Sequence, residues 1–232
     1  MTIAELSVKP PASAWWRRLQ RERALIALFD AGSRKTFALF SARLYAFGVF
    51  VSYAIAIALT RGATRPASIH GFVQAALVTL SWAVGALAAL GSAQALAARS
   101  ERDALSALAM QRGFTGLALL RARTLAAAVR IARLVGIPAL LLVAVGVVRG
   151  ASPAWALAVA PAVVVYACAL GLSLALLAHF SAEVAPRHPR SFLIALVLGP
   201  LLLSRAFPTV PSIPQLFSGL LALLLGPGAG LS

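Results

Sequence analysis

Two long stretches of this chain carry no Asp, Glu, Lys or Arg: Phe72–Ala98 and Ala154–Phe180. Each exceeds the ~20 residues a helix needs to cross the hydrocarbon of a bilayer. A soluble domain cannot cover runs of that length, because its outer face must offer polar groups to water. Composition agrees. Of the 232 residues 61% are hydrophobic and 12% are charged, against about 25% charged in soluble domains. A soluble enzyme and a disordered chain are both excluded. Four more apolar segments follow the same logic: Phe37–Leu59, Leu125–Val148, Phe192–Ser204 and Ile213–Leu225. The last two are short. They flank Arg205-Ala-Phe-Pro-Thr-Val-Pro-Ser-Ile-Pro214, whose prolines break a helix by fixing φ and removing N–H donors. They form either two tilted spans or a re-entrant hairpin. The expected fold is all-α and polytopic, with about six transmembrane helices. Residues 1–36 would form a cytoplasmic N-terminal segment, and residues 37–232 the transmembrane domain.

The formal net charge is +15, from 21 Lys and Arg against 6 Asp and Glu. In a soluble protein that excess suggests nucleic acid. Here its placement follows topology. Seventeen basic residues fall in alternate segments: before the first span, between the second and third, and after the fourth. The other connections hold four. The positive-inside rule then places both termini in the cytoplasm, a nucleic-acid partner is not expected, and the bias to arginine over lysine with the Ala and Leu load points to a GC-rich bacterial genome and so to a bacterial inner membrane. Residues 1–36 lack the apolar core and small-residue cleavage site of a signal peptide. The solitary Cys168 lies in an apolar run and is expected to be a small buried hydrophobe.

Within residues 1–36, Trp15 to Phe29 has helical periodicity. Trp15, Leu19, Ile26 and Phe29 share one face, and Arg17, Arg18 and Arg21 lie opposite. This predicts an interfacial helix touching membrane lipids, with Trp15, Trp16, Arg18, Glu22 and Arg23 as its informative residues. Glu22 falls inside the apolar stripe, so it should pair with an arginine of another segment.

Catalytic groups are scarce. Three histidines and six acids provide no HExxH and no Ser/His arrangement at membrane depth. His179 and Glu183 share a helical face, which suits capping or ion pairing. No GxxxxGK[ST] is present, so the chain is not expected to be an enzyme or to hold a cofactor or metal. The uncharged spans also disfavour ion-coupled transport. Tyr53, Gln74, Trp82 and Gln94 are the scarce polar candidates for a path through the membrane.

The densest mixed charge lies in residues 99–116, RSERDALSALAMQRGFTG. Ser100 is a plausible N-cap. Leu105 and Leu108 form an apolar face, and Gly113 and Gly116 are stop signals. A short amphipathic helix on the arginine-rich side suits docking of a cytoplasmic partner, or simply connects two spans.

Residues 98–134 resemble the region after the second span in permease subunits of type-2 exporter ABC transporters. The likeness rests on Arg99-Ser-Glu101-Arg102, then Ala104-Leu105-Ser-Ala-Leu108, then Leu119-Leu120-Arg121-Ala122-Arg123-Thr-Leu125. One departure is Asp103-Ala104, where that family often has Gly-Thr. The resemblance implies a dimer with a second permease subunit, the same chain or a homologue. Each subunit would dock a separate ATPase that holds the ATP and Mg²⁺. Arg99, Glu101, Arg102, Asp103, Leu105, Leu108, Arg112 and Gly113 would be its coupling-helix residues. Glu22 would bridge to Arg121 or Arg123. A membrane scaffold docking a non-ATPase partner through the same loop is the alternative.

Overall fold

The computed structural model describes residues 17, 20–29, 42–61, 69–97, 99–148, 150–206 and 213–225. The protein is an all-α polytopic membrane protein, with no strand among the described residues. Helices satisfy every backbone group within one segment, which hydrocarbon demands. In chain order the helices are α1 (residues 20–29), α2 (Ala42–Arg61) and α3 (Ile69–Leu80). A π-helical turn, Ser81–Gly85, joins α3 to α4 (Ala86–Ala97) without a break. Then come α5 (Arg99–Gln111), α6 (Gly116–Val148), α7 (Pro153–Val184), α8 (Pro189–Ala206) and α9 (Ile213–Leu225). Three stretches are long and apolar enough to cross a membrane: Gly71–Ala97, Gly116–Val148 and Pro153–Val184. The described apolar parts of α2, α8 and α9 are shorter.

The third span differs from the sequence expectation. It starts at Gly116 rather than Leu125 and runs for 33 residues. At 1.5 Å per residue that is ~50 Å, against ~30 Å of hydrocarbon. Its arginine-bearing first turns therefore extend past the apolar layer. Gly116 is not a stop signal; it opens α6. The hydroxyl of Thr115 accepts from Ala118 N–H at 3.3 Å and caps that helix. The stop is Gly113, at φ +80°. There Gly113 N–H bonds Met110 O at 2.9 Å and Phe114 N–H bonds Ala109 O at 3.2 Å, the paired closure of a Schellman motif. Ser100 is not the N-cap either, because α5 already begins at Arg99.

α6 and α7 form a hairpin closed by the same device. Gly150, at φ +98°, bonds Val147 O while Ala151 N–H bonds Gly146 O, both at 3.0 Å. Ser152 then caps α7 through Trp155 N–H at 3.1 Å, with Pro153 in the first turn. The two helices approach closely along small residues. A Cβ on Gly171 would stand 2.5 Å from Ala128 O, and one on Gly136 would stand 3.2 Å from Ala167 Cβ. Between helices in lipid, close backbone approach gains dispersion contacts that larger side chains would block.

The core lies where the second span crosses this hairpin. Val73, Leu77, Leu80, Ile131, Val135, Val163 and Tyr166 are almost fully buried there. Ser81 in the π turn bonds Leu77 O at 2.7 Å and the Tyr166 hydroxyl at 2.8 Å. Phe217 of α9 meets the Tyr166 ring edge-on, with centroids 6.3 Å apart. α2 is tied to α6 by Tyr45 and Tyr53, which donate to Leu134 O (3.3 Å) and Pro138 O (2.9 Å). Cys168, expected inside, is exposed on the outer face of α7. A helix side that faces lipid accepts a thiol as readily as a core does.

Candidate docking site at the α1–α5–α6 corner

α1 folds back onto the turn between α5 and α6. Leu25 and Phe29 are buried there against Ala109, Leu119, Ala122 and Ala126, with Ile26 and Phe114 packed alongside. The apolar stripe of this helix was expected to face acyl chains. Its described inner face, Leu25, Ile26 and Phe29, is instead covered largely by protein. The small side chains of α5 and α6 leave a shallow seat that Phe29 and Leu25 fill. Arg123 fastens the seat: its guanidinium lies 5.1 Å from the Phe29 ring centroid and donates to Ser106 on α5. One α6 side chain thus touches α1 and α5 together.

Beside this seat lies a cleft of about 660 Å³. Leu25, Leu28, Leu108 and Phe114 give it apolar walls, and Arg21, Glu22 and Arg112 bring charge of both signs. Leu108 is 46% exposed and Met110 55%. An apolar slot edged by mixed charge suits one helix or loop of a protein partner, whose apolar residue enters while its polar flanks meet the charges.

Three of the expected docking residues, Leu108, Arg112 and Gly113, meet in this cleft, joined by Glu22 of the expected interfacial helix. Arg23 is exposed on α1. Arg99, Glu101, Arg102, Asp103 and Leu105 are carried by helix α5, but their side-chain positions lie outside the described residues. Trp15, Trp16 and Arg18 also lie outside them. The expected bridge from Glu22 to Arg121 or Arg123 does not form among the described residues. Glu22 is exposed at the cleft, Arg121 is exposed on α6, and Arg123 is engaged by Phe29 and Ser106. The physical reason is the phase of α1. Leu25 and Phe29, one turn apart, are the buried pair, and they turn Glu22 to the rim. Leu25, Phe114, Thr115 and Ala118 were missed as site residues. The Leu25–Phe29 spacing was the available signal for the first of them.

The four polar path candidates do not converge. Tyr53 is committed to α6 through Pro138 O. Gln74 is half-buried, with its side-chain oxygen lacking a hydrogen bond among the described residues. Trp82 lines an apolar groove beside α8 and α9. Gln94 is exposed on α4. His179 Nε2 stands 4.0 Å from Glu183 Oε1 at the end of α7, as their spacing suggested.

No family model, no curated protein and no solved structure matches the chain.

Proposed function

We propose that the protein is the membrane-spanning permease subunit of an ATP-driven ABC transporter of the type-2 exporter class. It would dimerise with a second permease subunit and move a substrate that the sequence does not name across a bacterial inner membrane. The observation that carries this reading is the continuity of α6. One unbroken helix of 33 residues runs from the docking cleft into the spanning core. A partner that pushes on α1 and α5 therefore pushes on a rod that reaches the α7 interface, with Arg123 joining the three elements. The resemblance of residues 98–134 to coupling regions supplies the partner class. The energy source is then a separate ATPase, and Mg²⁺ and ATP belong to that subunit.

The test is purification of the native complex from membranes. A P-loop ATPase should copurify with the wild-type chain. It should be lost with Glu101→Arg plus Arg102→Glu, and also with Leu108→Asp, whose exposed position leaves folding intact. Recovery of a stable partner without a nucleotide-binding motif would overturn the transporter reading in favour of a membrane scaffold.

A further inference from the structure

Near the middle of the second span, a groove of about 180 Å³ lies between the π turn, α4, α7, α8 and α9. Buried Leu170 and Leu174 form its floor. Trp82 and Ala86 line one side, Leu198 lines the other from α8, and Phe217 reaches it from α9. Ser81 is also in the lining, but its hydroxyl is already engaged by Leu77 O and Tyr166. Such a surface gives water almost nothing to bond. An engineered apolar cavity of about 150 Å³ stays dry and takes up benzene instead. Two of the groove's walls, the second span and α7, are membrane-spanning by length and composition, so the medium at its mouth is hydrocarbon. Its rim residues Ile194 and Leu198 are 43% and 46% exposed.

We propose that this groove holds an acyl chain of a bilayer phospholipid as a resident ligand. The recess is too small for a helix, whose diameter with side chains is ~10 Å, so a second copy of the chain does not fit inside it. A flexible polymethylene segment does. It gains dispersion contacts with Leu170, Leu174 and the Trp82 ring that would be forfeited if the groove stayed empty. The π turn helps to shape the site, because its extra residue shifts the register of α4 against α3, and such bulges recur at functional positions.

The test uses Trp82 as its own reporter. The full chain with Trp15→Phe, Trp16→Phe and Trp155→Phe is placed in vesicles of phosphatidylcholine brominated at mid-chain. Bromine quenches indole fluorescence at contact. The expected result is loss of most Trp82 emission, restored when Ala86→Phe fills the groove from the second span. Leu198→Phe fills it from α8 and should do the same, so the test survives if one variant fails to fold. Undiminished quenching in both filled variants overturns the proposal, because Trp82 then faces bulk lipid only. Weak quenching in the unfilled protein, with disulfide cross-linking between copies carrying Leu198→Cys and Cys168→Ser, overturns it as well and makes the groove's rim an interface between copies.

Discussion

The hydroxyl of Tyr45 on α2 donates to the carbonyl of Leu134 on α6, 3.3 Å away. That carbonyl is the one Pro138 leaves without a helical partner. In an unbroken helix the N–H of residue 138 would bond it, and proline has no N–H. A carbonyl stranded in hydrocarbon is costly. Tyr45 therefore fills the vacancy, and Tyr53, two turns further on, bonds the carbonyl of Pro138 itself at 2.9 Å. Pro138, inside the continuous α6, removes one bond of its ladder, and α2 attaches at that point.

Tyr45→Phe should cost about 1 kcal/mol of stability, the usual worth of one such bond. The sharper expectation concerns the double substitution. In a Pro138→Ala background Leu134 O recovers its helical donor, so Tyr45→Phe should become nearly neutral. Equilibrium unfolding of the four proteins in mixed micelles measures the coupling. An unchanged Tyr45→Phe cost in the Pro138→Ala protein would refute the explanation.

Glycines in this chain should respond very differently to alanine. Gly171→Ala places a Cβ 2.5 Å from a backbone oxygen of α6, and the helices must separate, at a cost of about 1–3 kcal/mol. Gly136→Ala meets only the Cβ of Ala167 at 3.2 Å and should cost less. Gly219→Ala meets nothing within 4 Å and should be neutral or stabilise by up to about 1 kcal/mol through helix propensity. Thermal unfolding in one detergent should rank the three in that order.

Ser81 and Tyr166 should show an asymmetry. Tyr166→Phe leaves the Ser81 hydroxyl bonded to Leu77 O, and its cost should stay near about 1 kcal/mol. Ser81→Ala strands the hydroxyl of a side chain that is only 1% exposed, at about 1–3 kcal/mol. The same unfolding assay should find Ser81→Ala the more damaging, although each substitution removes a single hydroxyl oxygen.

Phe29→Ala should release α1 without unfolding the spans. Phe29 is 8% exposed, yet it belongs to the separate small cluster at the α5–α6 corner. Trypsin cleavage after Arg21 and Arg23 should accelerate, while the spanning helices stay resistant. Arg123→Met should act in the same direction and more weakly, because a surface cation–π contact contributes about 0.5–1 kcal/mol. Mass spectrometry of the first fragments would separate local release from global unfolding.

Much of the architecture could be read from residue order. The uncharged runs located the second and fourth spans to within a few residues, because hydrocarbon excludes charge over a length set by the bilayer. Glu22 was harder. Its place in the apolar stripe implied a neighbouring arginine, but the rotation of α1 about its axis depends on how Leu25 and Phe29 seat against Ala109 and Ala122. The Leu25–Phe29 spacing hints at the buried pair, but the seat that selects it is built by α5 and α6. The start of α6 was misplaced for a related reason. The apolar run marks a span only from Leu125, whereas the helix continues N-terminally through Arg121 and Arg123 to Gly116, because its first turns lie beyond the apolar layer.

Residue order alone determined that the chain is helical, that it crosses a membrane several times, and that its charged corner lies between the second and third spans. These follow from local quantities, namely the length of apolar runs and the solvation of charge. Only the tertiary structure decided which of the described glycines leave no room for a Cβ, and which tyrosine answers the carbonyl freed by Pro138 from 89 residues away. It also decided that Arg123 faces Phe29 rather than Glu22. Those outcomes depend on the distances between helices, which packing sets and no single segment encodes.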